Sequence, residues 1–158
     1  MNGHLTHLDE SGAARMVDVG AKPASARSAT ATGRIRMTNA ALAQLWDGGG
    51  PKGDALAAAR IAGIMAAKKT AELIPLCHPL ALDAVSIGFA AEADAIRVTV
   101  TASLTGRTGV EMEAMTAAAV ALLTLYDMGK SLDKGMAVED LRLLAKTGGK
   151  SGDWKALE

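Results

Sequence analysis

The chain has 158 residues, long enough for one domain with a real core, and its apolar content of 49% includes only 3% aromatics. Seventeen basic and seventeen acidic side chains give a formal net charge of zero. That excludes a global field for nucleic acid or an anionic membrane, so any anion site must be a local cluster of Lys and Arg. A core of Ala, Leu, Val, Ile and Met buries less area per residue than an aromatic one, which favours association between copies. One cysteine excludes an internal disulfide and suits a reducing cytoplasm. No charged-then-apolar leader opens the chain.

Residues 1 to about 13 are polar, carry His4 and His7, and read as a flexible arm. Residues 16–19 form a short strand-like piece. From about 25 to 37, polar and apolar residues interleave as in a strand. Thr38 or Asn39 can cap a short helix running to Trp46. Asp47-Gly48-Gly49-Gly50-Pro51-Lys52-Gly53 is a strong breaker. A helix over about 54–71 follows, with Leu56, Ile61, Ile64 and Met65 on its buried side. Ile74-Pro75-Leu76-Cys77-His78-Pro79-Leu80 lies between prolines and cannot continue that helix. Strands over about 83–91 and 95–104 form a hairpin around Glu92-Ala93-Asp94. A long helix spans about 109–128, and a last strand lies near 141–145. The basic segment Lys146-Thr147-Gly148-Gly149-Lys150-Ser151-Gly152 leads into a flexible tail over about 148–158. Strand, helix, hairpin, helix, strand suits a single α+β domain, a ferredoxin-like sandwich with helices on one face of an antiparallel sheet. The apolar run 114–126 is too short to span a bilayer, which takes about 20 residues.

The long helix carries Glu111 and Glu113 at its start, Asp127 at its end, and no charge between. At about 1.5 Å per residue, Glu113 and Asp127 stand roughly 21 Å apart on one straight helix. They cannot act on one bond of a small substrate from a single copy. Either they do different jobs, or a site is assembled from opposite ends of two helices in two subunits.

Each candidate also has a plain structural reading. Thr108-Gly109-Val110-Glu111 fits a capping box, so Glu111 either caps or binds. Glu113 complements the positive end of the helix dipole. Met112 suits a core. Asp127 opposes the negative end of the dipole; partial burial would raise its pKa and make it a better general acid–base at neutral pH, whereas exposure would make it ordinary. Lys130 reaches Asp127 if helical geometry persists, or only complements the helix end. Lys52, on its glycine loop, can close over an anion or stay solvated. Lys146 and Lys150 flank a glycine pair that can cover a phosphate or end the chain. Gly149-Lys150-Ser151 is not a P-loop, because Leu144 stands where that pattern needs glycine. Cys77-His78 supports no zinc site, with one Cys and no His pair at helical spacing. His78 fits a phosphate or base-edge donor, or a satisfied loop histidine.

Taken together, Thr6-His7-Leu8-Asp9, Met16-Val17-Asp18-Val19, Lys52-Gly53-Asp54, Ile74-Pro75-Leu76-Cys77-His78-Pro79-Leu80, Leu104-Thr105-Gly106-Arg107-Thr108-Gly109-Val110-Glu111-Met112-Glu113-Ala114, Tyr126-Asp127-Met128 and Lys146-Thr147-Gly148-Gly149-Lys150-Ser151-Gly152-Asp153 resemble the cyclic pyranopterin monophosphate synthase (MoaC-type) family, in order and through almost the whole chain. The resemblance implies a ferredoxin-like homohexamer, a trimer of dimers with active sites at the dimer interface. It implies a cytoplasmic lyase of molybdenum cofactor biosynthesis. The substrate would be a cyclic dihydro-GTP intermediate, and the products cyclic pyranopterin monophosphate and diphosphate. No cofactor, resident metal, nucleic acid or membrane is called for. The implied catalytic residue is Asp127, with Lys130 as acid–base partner and Lys52 beside them. The implied substrate contacts are Leu76, Cys77, His78, Met112 and Glu113. Glu111 would join them at the purine or ribose, and Lys52, Lys146 and His78 would meet the phosphates, with Lys150 and Arg27 as weaker phosphate contacts. Two other classes fit the residues alone: a nucleotide-binding regulatory module without turnover, and a structural oligomer whose charges are solvated faces.

Overall fold

The structure is a computed structural model that describes residues 7–157. In chain order its elements are β1 (Ser25–Arg36), α1 (Asn39–Trp46), α2 (Ala55–Lys68), α3 (Thr70–Leu73), β2 (Ala84–Ala91), β3 (Ala95–Gly106), α4 (Glu111–Gly129), β4 (Ala137–Thr147) and β5 (Trp154–Lys155). One antiparallel sheet runs β2-β3-β1-β4-β5. Without β5 this is the β-α-β-β-α-β order of the ferredoxin-like sandwich, so the expected α+β class and fold are observed.

Alternation along the central strands sets the two faces. Ala29, Ala31 and Ile35 of β1, Val98, Val100 and Ala102 of β3 and Ile87 of β2 are buried under the helices. The polar residues between them face the other way. There Thr30 and Thr101 share a hydrogen bond of 2.9 Å, and Arg34 pairs with Glu139 at 2.9 Å and Glu92 at 3.3 Å. Arg97 also pairs with Glu92, and Arg36 with Glu139.

Helix α4 sits close on the sheet because small residues let it. A Cβ on Gly33 would lie 2.6 Å from Leu122 Cδ1, so the missing side chain admits Leu122 onto β1. Gly63 of α2 is as tight, with its absent Cβ 2.5 Å from Ile87 Cδ1 and 3.0 Å from the Ala117 carbonyl. Ala114, Ala117, Ala118 and Ala121 complete that inward face of α4.

The α2 expectation needs correction. Its buried residues are Ala55, Ala59, Gly63, Ala66 and Ala67, while Ile61 and Met65 are exposed at 59% and 54%. Close helix–helix packing selects small side chains for the inside, so the large ones do not mark the core. Leu56 and Ile64 are half-buried. The helix also stops earlier than expected. Thr70 turns its hydroxyl back to the carbonyls of Ala66 and Ala67, and a separate turn, α3, follows.

Thr38 caps α1 through Ala41 N, as expected, and Asp54 caps α2 through Ala57 N at 2.9 Å. Residues 16–19 are irregular rather than a strand. The last long strand is more extensive than expected and already pairs with β1 at Ala137. His4 and Thr6 lie outside the described residues. His7 to Ala14 form a turn in which the Asp9 carboxylate accepts from the Ser11 and Ala13 N–H groups. Among the described residues no helix is long and apolar enough to cross a membrane.

Replacing Gly63 by valine forces atoms against Ile87 and the α4 backbone. The expected loss is about 1–3 kcal/mol, the usual range for overpacking. Urea denaturation measures it; an unchanged midpoint would mean that α2 and α4 are not held at this distance.

Candidate active site

The expected site residues gather in two places, one at each end of α4. At the C-terminal end, Asp127 Oδ2 accepts from Lys52 Nζ at 2.7 Å, and Oδ1 from Lys130 Nζ at 2.7 Å. Two local arrangements produce this. Lys130 continues the helical conformation as the C-cap of α4, which places it three residues on and on the same side. Lys52 rides on the turn closed by Gly53 N–H to the Gly50 carbonyl, where Gly53 takes φ +93°. Leu45 ties the loop to α4, since it lies against both Gly50 and Gly129.

Neither reading of Asp127, raised by burial or ordinary through exposure, is observed, because its pKa is lowered. Its side chain is 55% exposed, so there is little desolvation. The hydrogen bond from Lys130, then that from Lys52, hold its pKa down at about 2. The same pairing raises Lys130. At neutral pH the cluster is a carboxylate held charged between two ammonium groups, opposite charges that stabilise one another.

At the other end, a cleft of about 530 Å³ is lined by Leu76, Cys77 and His78 from the loop after α3, by Glu111, Met112 and Glu113 from the start of α4, and by Lys146 from β4. All seven expected substrate contacts therefore share one cavity. The Val17 carbonyl at 2.7 Å from His78 Nε2 can only accept, so Nε2 carries the proton and draws the irregular 16–19 segment over the cleft.

Glu113 is only 3% exposed. Burial raises its pKa, and the nearby Glu111 adds to this, against a hydrogen bond from its own backbone. Burial followed by the Glu113 charge also raises the Cys77 thiol, which stays protonated and unreactive at neutral pH. The capping box is not formed. Val110 is the N-cap of α4 and no side chain caps it. Glu111 instead faces Lys146 Nζ at 3.3 Å.

A second cavity of about 900 Å³ continues from the first and shares Glu111, Lys146 and Ser151 with it. Among the described residues its cations are Lys22, Arg27, Arg107, Lys146 and Lys150, with Glu111 the one acid. Arg27 is aimed by its Nε–H, which donates to the Gly106 carbonyl at 3.0 Å. Lys22 and Arg107 were not among the expected contacts. Arg107 stood inside the motif before α4, but nothing local distinguished Lys22, which reaches the cavity from a turn closed on Val19. Among the described residues no cluster of His, Cys, Asp or Glu could hold a metal ion.

A family model described as the MoaC family matches residues 16–149. A protein of Novosphingobium aromaticivorans named cyclic pyranopterin monophosphate synthase is 66% identical over 154 residues, 98% of either chain. Proteins of the same name are 58% identical in Parvibaculum lavamentivorans, over 96% of either chain, and 56% identical in Streptomyces coelicolor, over 95% of this chain and 88% of the relative.

Two predictions follow from the carboxylates. A raised carboxyl pKa makes the folded chain hold its proton longer, so Glu113 subtracts stability as pH rises above the ordinary value of 4.5. Glu113→Gln should therefore melt higher than the native chain at pH 7, with the gap vanishing in acid; an equal or lower melting temperature contradicts the burial argument. Asp127 has the opposite sign. Its depressed pKa contributes stability that is complete above about 4 and lost as pH falls towards about 2. Asp127→Asn should lack that acid-labile part, which thermal melts across the range would reveal.

Proposed function

The chain belongs to the MoaC family, and we propose that it is a cyclic pyranopterin monophosphate synthase, a cytoplasmic lyase of molybdenum cofactor biosynthesis. Its substrate is the cyclic dihydro-GTP intermediate, in which guanine C8 is bonded to the ribose 3′ carbon. It releases cyclic pyranopterin monophosphate and diphosphate. The observation that carries this reading is the pairing of a nucleotide-sized cleft with a basic extension at one end of α4, and an acid–base cluster at the other.

The chemistry accounts for the residue types. A triphosphate brings about four negative charges, which need guanidinium and ammonium groups at close range. Arg27, Arg107, Lys22, Lys146 and Lys150 supply them. The purine edge lies against Leu76, Cys77, His78 and Met112. Glu113, desolvated in the free protein, gains further hydrogen-bond partners when guanine N–H donors arrive. Opening the purine and closing the pterin ring need several proton transfers. Asp127 accepts and Lys130 donates, with Lys52 holding the carboxylate charged. A substrate hydroxyl then attacks the α-phosphorus and the bond to the diphosphate breaks. Positioning and charge neutralisation supply most of the rate in that step.

Because one α4 separates the two groups by roughly 21 Å, each site takes its cleft from one subunit and Asp127, Lys130 and Lys52 from another. This is realised in a homohexamer built as a trimer of dimers.

Incubation of the protein with the cyclic dihydro-GTP intermediate should give diphosphate and the pterin product in equal amounts. Saturable binding with neither product would favour a regulatory module instead. Asp127→Asn should keep the assembly and lose turnover. Mixing it with Lys146→Ala, after dissociation and reassembly, should restore activity to at most about a quarter of wild type, since half the pairs are mixed and hold one intact site each. No recovery from the mixture would place both groups on one subunit.

A further inference from the structure

The segment after β4 is built as a closed turn. The chain leaves β4 at Thr147, reverses over residues 148–152, and returns as β5, which pairs Trp154 with Lys146 and Lys155 with Ala145. The Ala156 N–H extends this pairing to the Leu144 carbonyl at 2.8 Å. Inside the turn, Asp153 Oδ1 accepts from the Gly148 N–H at 3.0 Å, and the Gly152 N–H donates to the Gly149 carbonyl at 3.1 Å.

Gly148 and Gly149 take φ of +81° and +80°. A Cβ on Gly148 would lie 2.3 Å from the Ala26 carbonyl oxygen, and one on Gly149 2.4 Å from an Arg27 guanidinium nitrogen. The turn is thus folded flat against β1, with Arg27 beneath it. From its far side Ser151 Oγ accepts from Lys146 Nζ at 2.7 Å, while Glu111 holds the same ammonium at 3.3 Å.

We propose that residues 148–155 form a latch, closed by Asp153 and β5, in which Ser151 and Asp153 are positioning residues for Lys146. The proposal rests on the phosphate reading of the basic cavity. The latch gives Lys146 two kinds of partner. Glu111 is charged and competes with an incoming phosphate for the ammonium. Ser151 is neutral, can accept from one ammonium hydrogen, and leaves the charge and the remaining hydrogens for the ligand. When an anion enters, Lys146 exchanges Glu111 for a phosphoryl oxygen and keeps Ser151, so it arrives already aimed. Asp153 acts one step further back. By fixing Gly148 it sets the path of the turn, and so the places of Ser151 and of the Gly149 backbone over Arg27.

The test uses the full chain and inorganic diphosphate, titrated by calorimetry. Ser151→Ala and Asp153→Ala should each weaken binding about fivefold, the effect of one net hydrogen bond. Asp153→Asn keeps an acceptor for the Gly148 N–H and should stay within about twofold of wild type. With substrate, the alanine variants should raise KM while leaving kcat nearly unchanged, a split that a general loss of folding would not give. Amide exchange, measured without ligand, should quicken over residues 148–152 in Asp153→Ala and stay slow in Asp153→Asn. Wild-type affinity in Asp153→Ala overturns the latch. If the wild-type chain itself binds no diphosphate, the phosphate reading of the cavity fails, and exchange then decides the latch alone: unchanged exchange in Asp153→Ala overturns it.

Discussion

The close seat of α4 on the sheet is the constraint from which the rest of the molecule follows. Leu122 enters the gap left by Gly33, and the alanine face of α4 meets Gly63 of α2. A helix held this closely cannot tilt or slide without opening voids or clashes in a dense interior. Its two ends are therefore fixed points. One delivers Glu111, Met112 and Glu113 to the cleft, and the other delivers Asp127 to Lys52. The near absence of aromatics is part of the same device, since bulky rings would hold the helices apart.

Those fixed ends place similar carboxylates in opposite environments. Glu113 points into the cleft with little water around it, so its charged form is disfavoured. Asp127 stands in solvent between two ammonium groups, which favour its charge more than the helix dipole opposes it. One element thus carries a carboxyl whose charge is disfavoured by burial and a carboxylate whose charge is held by two cations. The distance between them makes association of subunits a requirement of the proposed chemistry rather than an addition to it.

The basic cavity shows a different economy of construction. Its cations come from five separate stretches of chain: the turn holding Lys22, β1, the loop before α4, β4, and the turn after it. Arg27 is aimed by the Gly106 carbonyl that takes its Nε–H, and Lys146 by the Ser151 hydroxyl and the Glu111 carboxylate. Zero net charge on the chain is compatible with this concentration, because much of the remaining charge is paired on the far face of the sheet, around Arg34, Glu92 and Glu139.

By itself the sequence determined the order of the main elements from β1 to β4, because alternation, caps and glycine breaks act over a few residues, but it read residues 16–19 as a strand and β5 as part of a flexible tail. It determined β1, α1, the hairpin and α4 to within a few positions, and hence the ferredoxin-like sandwich. It also singled out Asp127, Lys130, Lys52 and the seven cleft residues, since their motifs are local strings. Only the tertiary structure decided which face of α2 is inside, because tight packing prefers Gly63 and the alanines to Ile61 and Met65. Only it decided that Glu111 faces Lys146 instead of capping α4, and that Lys22 and Arg107 join the cavity, since those contacts link distant parts of the chain. The direction of the Asp127 pKa was likewise settled in three dimensions. Local sequence places Asp127 at a helix end, but its exposure and the approach of Lys52 depend on how the glycine loop folds back over α4.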